Sequence, residues 1–269
     1  MKTFSRIYAA LIMVFLYAPI AVMIVFSFNS ARSTSVFGGF SLKWYGELLN
    51  DSSTIEALKN TLILAVASAV IATVLGTLSA VGIFQMKSRF ARASIMAATN
   101  IPMMNPDIVT GISLMLLFVF VGKFVGTEDV LGFWTMLIAH VTFNLPYVIL
   151  SVLPKLRQTD PHLSEAARDL GCTPLQSFFK VVFPSIAPGV FTGMIMAFTL
   201  SLDDFVISYF TTGPDFQTLP IKIFSMTKRR VTPDMYALST LIFLSVLILL
   251  ILINVAQARS EKKKEAAKL

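Results

Sequence analysis

Long stretches without a charged residue dominate this chain. They run from Ile7 to Ala31, Asn60 to Met86, Val130 to Pro154, Val181 to Leu202 and Met235 to Ala258. A sixth, Ala93 to Gly122, is interrupted only by Asp107. An α-helix needs about 20 apolar residues to cross the hydrocarbon core of a bilayer, and every run exceeds that. Backbone polar groups in lipid must be satisfied internally, so runs this long read as helices. The pattern predicts six transmembrane helices, near residues 7–28, 61–85, 95–121, 131–153, 184–210 and 236–257. The expected fold class is an all-α integral membrane protein, with one membrane domain over residues 1–269. No internal repeat or low-complexity linker divides it.

Lys2 and Arg6 precede the first run, as in a signal peptide. The run outlasts the apolar region of about 7–15 residues in such a leader, and no small-residue cleavage site ends it. It reads as a retained first helix with Pro19 inside. With the N-terminus inside, 14 of the 22 Lys and Arg residues fall in inner segments, among them Lys87, Arg89, Arg92, Lys155, Arg157 and the basic tail from Arg259. The positive-inside rule then puts both termini in the cytoplasm. It leaves Asn29–Glu56 as an outer segment. The outer cluster Lys228-Arg229-Arg230 opposes the trend and reads as a solvated loop.

Only 14% of residues are charged, against about 25% in soluble domains. The net charge of +7 follows the positive-inside bias and is no nucleic-acid footprint. Cys172 stands alone, which excludes an intramolecular disulfide and a cysteine metal cluster. His140 and His162 make no metal pattern. No nucleophile constellation, phosphate-binding glycine loop or Walker motif is present, so the chain reads as a non-enzyme with no cofactor or metal of its own.

One polar segment, residues 160–183, sits between the fourth and fifth spans. Asp160-Pro161 is an N-cap and first-turn pair. Leu163, Ala166, Ala167 and Leu170 share one helical face, and Gly171 stops the helix. Thr173-Pro174-Leu175-Gln176 has capping-box spacing. Phe178, Phe179 and Val182 make the second piece apolar, and Pro184 begins the fifth span. The spacing is Glu165-Ala166-Ala167, three residues, Gly171, nine residues, Val181, one residue, Phe183-Pro184. This resembles the EAA loop of ABC importer permeases, with Val181 in place of the usual isoleucine and Phe183 in place of leucine. The resemblance implies a type I importer permease fold. It also implies a cytoplasmic coupling helix that docks on a separate ATP-hydrolysing subunit through Glu165, Ala166, Ala167, Gly171 and Pro184.

Asp107, Asp203 and Asp204 fall inside predicted spans. A carboxylate at a helix centre costs roughly 2.5–3.5 kcal/mol on insertion scales, and such groups usually face a cavity. Asn105-Pro106-Asp107 interrupts the third span, and broken helices at membrane depth line water-filled sites. Gly193, Ala197, Ser201, Asp204 and Ser208 form a small polar stripe suited to close packing or to a pore. Asp203 lies about 100° from Asp204 on a regular helix, which ranks Asp204 first as pore-facing. His140, Asn144, Tyr147 and Ser151 make a second polar stripe. Three embedded acids and no embedded base favour a cation.

Phe198–Ser208, Thr212-Gly213-Pro214, Leu219–Ile223, Pro102–Val109 and Lys43-Trp44-Tyr45 resemble the second permease subunit of spermidine/putrescine importers. The resemblance implies a second homologous permease, an ATP-binding subunit dimer carrying ATP and Mg, an extracytoplasmic substrate-binding protein, and a bacterial cytoplasmic membrane. It implies polyamine passage along Asp107, Asp204, Asp203, Asn105, Asn144, Tyr147, Phe205 and Tyr209. The aromatic rings would add cation–π contacts of about 0.5–2 kcal/mol each. Importers of aminoalkyl phosphonate, thiamine or ferric iron, and a stand-alone channel or carrier, stay open as alternatives.

Overall fold

The computed structural model describes residues 2–32, 36–127, 129–160, 162–228 and 232–266. These form helices throughout, and the one extended pairing among them is an isolated bridge between Asn29 and Phe40. Five helices are long and apolar enough to cross a membrane: Arg6–Ser27, Ser52–Gln85, Asp107–Val125, Phe133–Gln158 and Pro174–Asp203. The last charge-free run lies within a further helix, Pro233–Ala266, whose apolar part among the described residues is Pro233–Ile248. Arg229 and Arg230 of the basic cluster, and Pro161, lie outside the described residues.

Contacts divide the chain into two compact units. The first takes residues 1–55 and 222–269. It contains α1 (Lys2–Ser27), the short helix α2 (Lys43–Asn50), the first turn of α3 (Ser52–Gln85), most of α11 (Leu219–Thr227) and α12 (Pro233–Ala266). α12 packs on both α1 and α2. Within this unit the Lys222 ammonium reaches the Asp51 carboxylate at 2.8 Å and also meets the Ser53 hydroxyl. Lys222 and the Thr54 hydroxyl hold the Asp51 carboxyl well below the usual carboxylate range.

The second unit, residues 56–221, carries both candidate functional regions. It holds the rest of α3, then α4 (Arg89–Met104), α5 (Asp107–Val125), α6 (Phe133–Gln158), α7 (Leu163–Asp169), α8 (Pro174–Ser177), α9 (Phe183–Asp203) and α10 (Val206–Thr211). Its core is the α6–α9 pair. Gly189, Gly193, Ala197 and Ser201 recur every fourth residue along α9 and are all buried. A Cβ on Gly189 would stand 2.7 Å from the Ser151 carbonyl oxygen, and one on Gly193 would stand 3.1 Å from the Val148 Cα. Small residues here let two backbones approach, which is how helices associate where lipid removes the hydrophobic drive. The stripe that suited either packing or a pore is therefore a packing face.

Two predicted spans need correction. The third, near 95–121, is two helices. Pro106 has no N–H to donate and biases Asn105 to extended backbone, so α4 stops at Met104 and Asn105 takes ψ 141°. The fifth, near 184–210, also breaks. α9 ends at Asp203, Asp204 is extended at ψ 124°, and the chain resumes helix at Val206. The regular helix assumed through Asp203 and Asp204 does not exist.

Candidate functional site: two helix breaks and a helical hairpin

The two breaks lie near each other. α10 packs on α5 and α6, and Gly111, one turn into α5, sits against Ile207 and Phe210 of α10. The residues around the breaks differ sharply in what they face.

Asp204 points inward. Its Oδ2 accepts the Ser208 N–H at 2.7 Å and its Oδ1 accepts the Ile207 N–H at 3.3 Å. It thus satisfies the orphan donors that open α10. His140 Nε2 meets the Ser208 hydroxyl at 2.9 Å and lies 3.5 Å from Asp204 Oδ2. One turn along α6, the Asn144 amide N–H donates to the Ser201 hydroxyl at 2.7 Å, and Ser201 shares a 2.8 Å hydrogen bond with Ser68 of α3. His140 and Asn144 are fully buried. This network ties α3, α6, α9 and α10 together, and such interhelical bonds contribute about 0.6 kcal/mol each on average in a membrane. Ser151 returns its hydroxyl to the Tyr147 carbonyl on its own helix.

Asn105, Asp107 and Asp203 are exposed, as is Tyr209. Phe205 and Tyr147 are half-buried, and the Phe205 and Tyr209 rings lie 5.4 Å apart. The sequence-predicted path residues therefore split into an outward set (Asn105, Asp107, Asp203, Tyr209) and an inward set (Asn144, Asp204), with two aromatic rings between. Ser68 and Ser208 belong to the inward set; Ser208 was read only as part of the small polar stripe, and Ser68 was missed.

The second region is the hairpin after α6. α7 begins at Leu163, with His162 at its N-cap position, and Asp160 Oδ1 instead accepts the His162 N–H. The expected Asp160 cap is thus displaced by two residues. The end of α7 is as read from the sequence. Gly171 takes φ 88°, its N–H bonds the Arg168 carbonyl, and the Cys172 N–H bonds the Ala167 carbonyl. These are the paired bonds of a Schellman cap. Thr173 and Gln176 form a complete capping box. Ser177, fully buried, donates to the Ser164 carbonyl and bonds the Ser164 hydroxyl. That double bond staples α7 to α8 and went unnoticed in the sequence.

Ala167 packs inward, while Glu165, Ala166 and Arg168 are exposed, as are Leu163 and Leu170. The Glu165 carboxylate pairs with His162 Nδ1 at 3.2 Å. α7 thus presents an apolar strip edged by charge. α8 does not end in a loop: a π-helical turn, Phe178–Val182, joins it directly to α9. Pro184 cannot donate to the carbonyl of Lys180, and the wider turn absorbs that missing bond.

A chain of membrane-crossing helices, two of them broken beside carboxylates, with a stapled helical hairpin at one end, defines a transport subunit. The chain belongs to the family described as binding-protein-dependent transport system inner membrane component, which matches residues 72–265. It is a multi-pass membrane protein of that family. Among curated relatives, it is 41% identical over 251 residues to the putrescine transport system permease protein PotI of Escherichia coli strain K12, covering 93% of this chain and 89% of the relative. It is 40% identical over 237 residues to the spermidine/putrescine transport system permease protein PotC of the same strain, covering 88% and 87%. Among solved structures, a bacterial ABC transporter involved in the import of the acidic polysaccharide alginate matches with TM-score 0.73 at 16% identity, covering 96% of this chain and 95% of that one. The MetNI methionine ABC transporter matches with TM-score 0.58 at 20% identity, covering 76% and 93%. At those identities the likeness speaks to the fold, which is that of ABC importer membrane components.

Proposed function

We propose that this chain is one membrane-spanning subunit of an ATP-driven importer that carries polyamines such as putrescine and spermidine inward by alternating access. The observation that carries the reading is the packing of α5 on α10, which brings together two helix breaks with exposed carboxylates, Asp107 and Asp203. Negative charge and aromatic faces suit a flexible cation bearing spaced ammonium groups. Single carboxylates and rings grip weakly enough to release, as a path requires. The PotI-like and PotC-like relatives support the same substrate class.

In this reading α12 is the sixth span, both termini are cytoplasmic, and the membrane is a bacterial cytoplasmic one. A second, similar permease completes the path. A pair of ATPase subunits, holding ATP and Mg, docks on the exposed strip of α7 around Glu165 and Ala166. An extracytoplasmic binding protein delivers the polyamine, a kind of partner supported by the alginate transporter solved in complex with its periplasmic protein. Asp204 positions the path and does not line it, because both of its oxygens are engaged by α10.

The test is uptake of radiolabelled spermidine and putrescine into proteoliposomes. The full set of partners is compared with this chain alone, each with and without ATP. ATP-dependent uptake by the full set only is the expected result. Polyamine flux through the chain alone would sink the reading in favour of a channel or carrier. ATP hydrolysis without polyamine uptake would sink the substrate class.

A further inference from the structure

The described residues between α1 and α2 are held by side-chain hydrogen bonds. The Asn29 side chain accepts the Gly38 N–H at 2.7 Å and the Ala31 N–H at 3.2 Å, and donates to the Val36 carbonyl at 2.8 Å. Trp44 Nε1 donates to the Asn29 carbonyl at 2.6 Å, and the Tyr45 hydroxyl bonds that of Ser27 at 2.7 Å. Phe28 stacks on Phe40 with centroids 5.2 Å apart. Asn29, Trp44 and Leu48 are buried, so the loop and α2 have a small interior of their own.

That interior does not absorb the large apolar side chains. Val36 is 63% exposed and Phe40 72%, and Phe37, Leu42 and Leu49 are exposed with them. Large exposed apolar side chains gathered within residues 36–49 call for a partner. The patch continues directly from α1, whose apolar window is wholly unburied in this chain. It lies at the end of that span, where Trp and Tyr concentrate in membrane proteins. The exposed Lys43–Glu47 pair forms its polar edge.

We infer that the 36–49 segment is an interfacial anchor, seated in the bilayer surface at the end of α1 with Phe40 and Leu42 among the acyl chains and Lys43 and Glu47 among the headgroups. The partner is lipid. The amphipathic α2 lies in the plane of the interface, as such helices do. The inference is independent of the polyamine reading, since it needs only that α1 crosses the membrane.

The test uses the full-length chain in lipid nanodiscs. Cys172 is replaced by serine, since it is the lone cysteine, and single cysteines are introduced as Phe40→Cys, Leu42→Cys or Glu47→Cys. Each carries an environment-sensitive fluorophore. Lipids brominated near the carbonyl should quench positions 40 and 42, which sit at the headgroup/acyl boundary, while aqueous iodide should spare them and quench position 47. Two labelled apolar sites guard against one substitution disturbing the loop. Iodide quenching at 40 and 42 equal to that at 47 would overturn the anchor. So would protection of 40 and 42 from both quenchers, which would mean that protein, a second copy of this chain included, covers the patch.

Discussion

Asp203 and Asp204 are adjacent, yet the structure gives them different work, and one pair of substitutions separates them. Asp204→Ala removes the acceptors of both the Ile207 and Ser208 N–H groups. Losing a helix cap costs about 0.5–2 kcal/mol. The Ser208 N–H belongs to a buried residue, and stranding such a donor adds about 1–3 kcal/mol. Together, about 1.5–5 kcal/mol of stability should go. For a chain of this size each kcal/mol moves Tm by about 2–4 °C, so Tm should fall by roughly 3–20 °C. Asp204→Asn keeps one acceptor oxygen and should fall between this variant and the parent. Asp203→Asn removes only charge from an exposed carboxylate and should leave Tm unchanged. Its effect belongs to uptake: loss of about 1–2 kcal/mol of ammonium binding raises the half-saturating polyamine concentration roughly 5–30-fold. The assay is heating of the purified protein in nanodiscs, read as folded fraction by size exclusion, beside uptake over a polyamine concentration series. An Asp204→Ala protein that melts with the parent but loses affinity as Asp203→Asn does would refute the division and make Asp204 a ligand.

Gly189→Ala should cost about 1–3 kcal/mol by overpacking, because the added Cβ meets the Ser151 carbonyl oxygen at 2.7 Å and backbone cannot rotate away; the same melting assay reads it. Lys222→Met should cost about 1–2 kcal/mol, less than a fully buried pair would, since the Asp51 side chain is 44% exposed. Because the Asp51 carboxyl is depressed in the folded chain by Lys222 and Thr54, its contribution is full above the unfolded value of about 3.9 and declines as pH falls below it. The parent should therefore lose stability between about pH 4 and lower pH more steeply than Lys222→Met; parallel melting curves across that range would contradict this. Gly171→Ala places a Cβ at φ 88°, at about 1–2 kcal/mol, and should lower polyamine moved per ATP hydrolysed without altering the melting of the α6–α9 core.

The helical class and the approximate spans were legible because a long charge-free run has few physical alternatives in lipid. The hairpin after α6 was legible almost residue by residue, since Gly171, Thr173 and Gln176 are local signals whose bonds close within a few residues. Asn105-Pro106 announced its break through proline. The break after Asp203 carried no glycine or proline, and Asp203 and Asp204 are the only polar residues between Leu202 and Ile207. What ends α9 is the competition of the Asp204 carboxylate for the Ile207 and Ser208 N–H groups. Periodicity arguments assume the helix and so cannot register that competition. The same assumption ranked Asp204 ahead of Asp203 as pore-facing. Asn144 and His140 read as members of a polar stripe, but their partners Ser201 and Ser208 lie 57 and 68 residues away, and only the fold chooses them.

The two candidate regions are joined by one element. From Pro174 to Asp203 the backbone stays helical, through α8, the π turn and α9, a rod of roughly 45 Å at 1.5 Å per residue. At one end Ser177 is stapled to α7 by the Ser164 bonds. At the other the rod stops at Asp203, beside the start of α10. A displacement of α7 is therefore not dissipated in a loop, and it reaches the carboxylate break as movement of a packed helix. The α6 partner is held against that rod by Gly189 and Gly193, so α6 must move with it or the packing must open. The point of least resistance is the extended Asp204, where the backbone leaves the helix and one cap holds the next segment. A hinge there changes the setting of Asp203 relative to Asp107 only by straining the His140–Ser208 bond that ties α10 to α6, so that bond sets the resistance to the motion.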